Sequence, residues 1–276
     1  NLLIKNQKFD KGMRVTEFYN CVCCVVAKPD DERLLAVGLW QDRSGFLDTR
    51  TGWSKYFDHY SYVNTIAFSP SSSPSLLLAA GLHNRIVQVW NCNDLNTCIA
   101  TLRGHEESVL HIAFSPNGKL LASASRDTTV RLWKTADWHA PPLVLRRHDE
   151  YVLGVSFSHD SHLLATCSHD STVKLWQILD QNTVALVASV DGAFNDRSVW
   201  SVAFSPIDTT LLAYGGGRGD LVLANVNTTI TTKRNLQGHM VTITTKRNLQ
   251  GHTDTVRKLA FSKIFALRPN VGFNFG

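Results

Sequence analysis

Residues 104–133 read GHEESVLHIAFSPNGKLLASASRDTTVRLW, and residues 147–176 read RHDEYVLGVSFSHDSHLLATCSHDSTVKLW. The two stretches align without a gap. In each, a histidine (His105, His148) is followed nine residues later by a phenylalanine (Phe114, Phe157) and 22 residues later by an aspartate (Asp127, Asp170), with a tryptophan (Trp133, Trp176) six residues beyond. The intervening segments alternate apolar and polar residues with period 2, are rich in β-formers, and are separated by Ser, Asp, Asn and Gly turns. No segment sustains a 3.6-residue period. The unit is therefore three to four short antiparallel strands, not a helical hairpin.

Working outward, the same unit recurs along the chain, and a fixed repeat decides a fold before any other feature. The phenylalanines Phe68, Phe114, Phe157, Phe204 and Phe261 are spaced by 46, 43, 47 and 57 residues. A small-residue strand follows each of the first four: LLLAAG at 76–81, LLASAS at 120–125, LLATCS at 163–168 and LLAYGG at 211–216. Next comes an alternating strand that ends in tryptophan at 87–90, 130–133 and 173–176, whereas the fourth instance puts Ala224 in the tryptophan position. His59 and His252 also lie nine residues before their phenylalanines, and Asn195 takes that place in the fifth unit.

These residues resemble the WD40-repeat family over about residues 20–262. The resemblance implies an all-β fold, a β-propeller of four-stranded antiparallel blades. On that reading one domain covers 1–276, with blades at about 21–58, 60–102, 106–146, 149–189 and 196–236 and a partial sixth at 251–276. A complete protein would carry six or seven. The first blade is degenerate, with 21–28, 34–38 and 44–48 as its strands, and residues 1–20 could supply an outer strand to the last blade. The length then reads as a piece of a longer propeller, or as one completed by another chain.

The resemblance also implies a hydrogen-bonded chain inside each good blade: His105, Ser123 or Ser125, Asp127 and Trp133, then His148, Thr166 or Ser168, Asp170 and Trp176. A His-Ser-Asp grouping imitates a hydrolase triad. Its recurrence in successive units argues for a structural role, because a catalytic site occurs once. No catalytic residue is expected.

One anomaly stands apart. TITTKRNLQGH occurs at 229–239 and again, letter for letter, at 242–252. The offset of 13 residues is too short for a blade, and removing 13 residues brings the spacing of 57 down to the range of the others. Identity of this kind points to a recent tandem duplication, to a gene-model or cloning error, or to ambiguity in assigning the sequence; a functional basic loop is the lesser alternative.

Composition bounds the function. With 43% hydrophobic and 18% charged residues, disorder, collagen and coiled coil are excluded. A net charge of +5 is only mildly basic and includes the duplicate's extra Lys-Arg pair, so a nucleic-acid partner is possible but not indicated. The longest apolar stretches are strand-sized, so no membrane insertion is expected, and the N-terminus has no signal-peptide pattern. Six cysteines form neither a disulfide framework nor paired zinc ligands, which suits a reduced cytoplasmic or otherwise intracellular setting. Cys21-x-Cys23-Cys24 fits strand alternation better than a metal site, and GGGRGD at 215–220 fits a hairpin turn better than a phosphate loop. No metal or cofactor is expected.

In the family, ligands use the face that carries the loops into the innermost strand and the turns between the second and third strands. Positions six and four residues before the aligned phenylalanine, and the residue before the turn aspartate, are carried over one by one. They give Tyr62, Asn64, His83, Leu110, Arg126, Tyr151, Leu153, His169, Trp200 and Arg257 as the candidate partner-binding residues, with Cys21, Cys23 and Gln41 as the equivalents in the first blade. Leu110 and Leu153 could equally pack between blades. The function expected is a non-enzymatic protein-interaction scaffold or docking platform, part of a multi-subunit complex. A nucleic-acid-associated propeller and, less so, a propeller hydrolase are the alternatives.

Overall fold

A computed structural model describes residues 22–29, 31–39, 43–48, 54–92, 98–191, 198–217, 220–233, 236–249 and 259. Contacts divide the chain into two compact units, Asn1–Arg147 and His148–Gly276. The described residues form strands and turns, and no helix among them is long and apolar enough to cross a membrane.

Among the described residues the first unit holds three blades and the second two. Those of the first are β1 (Val22–Lys28), β2 (Asp31–Leu39), β3 (Arg43–Asp48) and β4 (Ser54–Asp58); β5 (Val63–Phe68), β6 (Leu77–Leu82), β7 (Val87–Asn91) and β8 (Cys98–Leu102); and β9 (Val109–Phe114), β10 (Leu120–Ser125), β11 (Thr129–Lys134) and β12 (Leu143–Arg146). Those of the second are β13 (Val152–Phe157), β14 (Leu163–Ser168), β15 (Val173–Ile178) and β16 (Val184–Val190); then β17 (Val199–Phe204), β18 (Leu211–Gly216), β19 (Leu221–Lys233) and β20 (Leu236–Leu249). Every blade is a four-stranded antiparallel meander in chain order.

The sequence pattern explains the burial. The second strands β6, β10 and β14 are buried at all six positions, which is why they read as unbroken runs of leucine and small residues (Ala, Gly, Ser, Thr, Cys) rather than as alternation. The fourth strands β8, β12 and β16 are half-exposed and alternate loosely. One cross-strand row repeats from blade to blade: Phe68–Leu78–Trp90, Phe114–Leu121–Trp133 and Phe157–Leu164–Trp176 are directly paired, and the fifth blade has Phe204–Leu212–Ala224. The aligned phenylalanine, leucine and tryptophan of the sequence are thus one register position, seen once in each of these blades.

The fifth blade corrects for its missing tryptophan. Tyr214, 3% exposed, stands where Ser123 and Thr166 stand in their blades, and Ala224 is fully buried in the tryptophan position. Large and small have changed places across the two strands, and both residues belong to one apolar cluster. Its last two strands also depart from the expected 196–236. They run 13 and 14 residues, and the residues facing Leu221–Val226 come from the second copy of the duplicated segment. Of the partial sixth unit only Leu259 is described; its backbone N–H donates to Ser201 Oγ at 2.9 Å. Residues 1–20 lie outside the described residues.

Candidate interaction face

Two side-chain chains brace the loops of the third and fourth blades. His105 Nδ1 donates to Asp127 Oδ2 at 2.7 Å, Ser123 Oγ lies 2.8 Å from His105 Nε2, and Trp133 Nε1 donates to Ser123 Oγ at 2.9 Å. The fourth blade repeats this with His148, Asp170, Thr166 and Trp176 at 2.8, 2.7 and 3.0 Å. Ser123 and Thr166, rather than Ser125 and Ser168, are the hydroxyls of the chain. Ser125 and Ser168 instead donate to the carbonyls of Glu107 and Glu150 and accept from the N–H groups of Asp127 and Asp170.

Sequence reasoning missed the threonines. Thr129 and Thr172 each give Oδ1 of their aspartate both a backbone N–H and a hydroxyl, while Glu106 N–H and Asp149 N–H reach Oδ2. Each aspartate therefore receives four hydrogen bonds. Burial alone would push its carboxyl up, but the bonds from histidine, threonine and backbone hold both Asp127 and Asp170 well below the usual carboxylate range. The order Asp, His, hydroxyl matches a catalytic triad. However, Ser123 and Thr166 are fully buried and their hydroxyls are shared with tryptophan indoles, so no substrate can reach them. The arrangement ties each loop to its turn and satisfies buried polar atoms.

The second blade is wired differently. Asn84 takes the turn aspartate's place and Ala80 the hydroxyl's, so His59 turns to Gln88 Oε1, 2.6 Å from its Nδ1, and to Ser44 of the first blade. The Trp90 ring meets the His59 ring edge-on at 5.9 Å. Gln88 and Ser44 carry no repeat signal that could have revealed them.

At the end of the blades where these turns lie, the first strand carries a bulge. Register shifts fall between Val22 and Cys24, Val63 and Thr65, Ala124 and Ser125, Val152 and Gly154, and Val199 and Ser201. The residues left out of the pairing are Cys23, Asn64, Leu110, Leu153 and Trp200, the set four residues before the phenylalanine. A bulge re-aims the side chain of the extra residue, which sets these positions apart from the alternation of the strand. Asn64 Nδ2 donates to Val109 O at 2.8 Å, joining the second and third blades, and Leu153 packs on the apolar cluster of the second unit. Leu110 and Trp200 are half-buried.

The remaining candidates meet in pairs. His83 N–H donates to Tyr62 O, Arg126 N–H to Ser108 O and His169 N–H to Tyr151 O, at 2.9, 3.0 and 2.9 Å. In each of the second, third and fourth blades, one backbone bond thus joins the turn residue to the residue six before the phenylalanine. In the first unit the Tyr62 and His83 rings lie 6.0 Å apart, and Ser108 Oγ donates to His83 O and lies 3.0 Å from its Nδ1. In the second unit His169 stands between Tyr151 and Trp200, with centroids at 6.1 and 6.5 Å, edge-to-face. Tyr62 is 50% and Tyr151 39% exposed, and the turn residues His83, Arg126 and His169 are exposed. Tyr60, two residues before Tyr62, is 89% exposed with φ of +56°, and no repeat position marked it. Arg257 lies outside the described residues. Among the described residues no group of three or more His, Cys, Asp or Glu could hold a metal ion.

Known proteins share both the repeat and the fold. The family described as WD domain, G-beta repeat matches residues 96–134 and 140–177. The human WD repeat and SOCS box-containing protein 1 is 33% identical over 92 residues, which is 33% of this chain and 21% of that protein. Its Xenopus tropicalis counterpart is 37% identical over the same shares. The chain spans about a fifth of the length of the curated relatives it matches. A chain from a solved structure titled "Crystal Structure of Mitotic Checkpoint Complex" superposes with a TM-score of 0.71 at 21% identity, covering 87% of this chain and 68% of that one, which shows the fold. Repeated Phe–Leu–Trp rows, two complete His–hydroxyl–Trp chains and these matches lead to one conclusion: residues 96–134 and 140–177 are WD40 repeats, carried in a chain with a β-propeller fold.

Proposed function

We propose that the chain is a non-enzymatic docking platform that binds protein partners on the turn-and-bulge end of its blades, as one component of a larger assembly. The observation that carries this is the backbone bond joining Tyr62 to His83, Ser108 to Arg126 and Tyr151 to His169. It gathers tyrosine, histidine and arginine on rigid strand ends, and aromatic and arginine side chains concentrate binding energy at interfaces. The His-Ser-Asp sets that imitate a hydrolase are used up inside the blades. The names of the relatives, which pair WD repeats with a SOCS box, and the multi-protein title of the structural neighbour favour partners that are proteins. Cys24, Cys92, Cys98 and Cys167 form no disulfide, which suits a reducing, intracellular setting.

The test treats the two units separately. Tagged wild-type chain, a Tyr62→Ala/Arg126→Glu variant and a Tyr151→Ala/Trp200→Ala variant are used to capture proteins from native extract, with quantitative mass spectrometry. Proteins held by the wild type should fall by about tenfold or more with at least one variant, the loss expected of a hot spot. If both correctly folded variants retain the same partners at the same yield, this face is not the docking surface.

A further inference from the structure

We infer that the fifth blade has two interchangeable fourth strands, and that the choice between them makes or removes a β-ribbon. In the observed register β19 pairs with β20 from Leu221↔Leu249 to Lys233↔Leu236. Its first part, Leu221 to Val226, faces residues 243–249 of the second copy, and this is the blade proper. Its second part, from Asn227↔Thr242 to Lys233↔Leu236, is a two-stranded continuation with no counterpart in the second, third and fourth blades, whose third strands end after five or six residues.

Residues 230–236 are identical, letter for letter, to the 243–249 that fill the fourth position. A shift of 13 residues gives Leu221 the same leucine (Leu236 for Leu249), Asn225 the same threonine (Thr231 for Thr244) and Val226 the same isoleucine (Ile230 for Ile243). Residues 227–229 would then connect the strands as a three-residue hairpin loop, a common length. Each copy also carries the exit the repeat requires. Leu236-Gln-Gly-His239 and Leu249-Gln-Gly-His252 both reproduce Leu102-Arg-Gly-His105, the passage from β8 into the third blade, with Gln in place of Arg. Either copy is a complete fourth strand with its outgoing sequence. Register is normally pinned by a one-residue slip turning every side chain over. Here the slip is 13 residues along a different but identical segment, so every facing residue type is restored. The ribbon pairs form only in the observed arrangement and favour it; the alternative releases residues 237–250 as a connection.

Disulfide trapping in the full-length chain separates the two. Asn225→Cys with Thr244→Cys reports the observed register, and Asn225→Cys with Thr231→Cys the alternative. Asn225→Cys with His239→Cys matches neither and serves as the background. Peptide mass mapping distinguishes the engineered links from native cysteines. Both reporting pairs should link above background, the Thr244 pair faster. Thr244→Pro removes a ladder donor from the second copy only and should raise trapping of the Thr231 pair by about tenfold or more. Deleting 13 residues provides the control for folding, since removal of 229–241 or of 240–252 yields the same polypeptide. In that shortened chain the Asn225→Cys/Thr231→Cys pair should link quickly, and a cooperative thermal transition should persist. Trapping of the Thr231 pair at background level, no response to Thr244→Pro, or loss of the transition in the deleted chain would each overturn the inference.

Discussion

Replacing Asp170 by asparagine should cost the fourth blade about as much as removing the side chain altogether. Asp170 Oδ2 accepts from His148 Nδ1 at 2.8 Å and Asp149 N at 3.1 Å, and Oδ1 accepts from Thr172 N at 2.9 Å and Thr172 Oγ1 at 2.6 Å. Asparagine keeps one acceptor oxygen. Whichever way its amide lies, its NH2 group faces two donors that cannot both turn away, because one of each pair is a backbone N–H. Two charge-assisted hydrogen bonds of about 1.5–3 kcal/mol each are lost and their donors stay buried, so the expected loss is about 3–5 kcal/mol. Asp170→Ala should fall within about 1 kcal/mol of the same value, since it leaves all four donors unmet but sets no NH2 group against any of them. The assay is urea unfolding followed by tryptophan fluorescence, with hydrogen exchange read at the Asp149 and Thr172 amides. An Asp170→Asn protein within about 1 kcal/mol of wild type, with those amides still protected, would refute the reasoning.

Other outcomes follow from the same packing. The two depressed aspartates give a pH dependence: their stabilisation is complete above the unfolded carboxylate value of about 4 and drains as pH falls through their lower folded values. Acid titration of urea midpoints should therefore show a decline beginning near pH 4, reduced in an Asp127→Ala/Asp170→Ala chain. Tyr214→Ser should destabilise the fifth blade by about 3–5 kcal/mol, because Ala224 leaves the emptied space unfilled, and Tyr214→Ser with Ala224→Trp should recover part of that loss in chemical denaturation. A methyl group at Gly81 would lie 2.7 Å from Thr65 Cγ2 and 2.8 Å from Val109 Cγ1, so Gly81→Ala should lower stability by about 1–3 kcal/mol in the same assay. Burial pushes the Cys92 thiol up to about 12 and the fully buried Cys167 thiol higher still, so alkylation of the native chain at pH 8 should label Cys98 before either.

What could be read from the letters alone was whatever the repeat repeats. Phe114, Leu121 and Trp133 are one row of side chains, and a row that recurs from blade to blade appears as a spacing. The His105–Asp127–Trp133 chain was legible for the same reason, and resolving Ser123 from Ser125 needed the strand pairing that sets each beside its partner. The second blade's His59 was visible as a histidine but not in its partners. Gln88 and Ser44 serve it because Asn84 and Ala80 replaced the usual ones, and compensation of that sort leaves no periodic trace. The bulges explain why Asn64, Leu110, Leu153 and Trp200 form a set, yet a bulge is an offset between two strands and cannot be seen in either strand by itself. Leu153 and Asn64 also show that occupying such a position does not make a residue free to bind: one packs against the core and the other clamps a neighbouring blade.

The pairing of β19 with the second copy has a bearing on how the chain is made. Ribosomes add about 5–20 residues per second, so residues 230–236 leave the exit tunnel about 1–3 s before their duplicates. A β-hairpin closes in about 1–10 μs. On that clock the nearer copy has ample time to zip onto Leu221–Val226 while the farther one is still unsynthesised. With interchangeable strands, the observed sheet would be reached by one strand displacing its own twin, and the newborn and mature forms of this blade would differ although their facing residues would not.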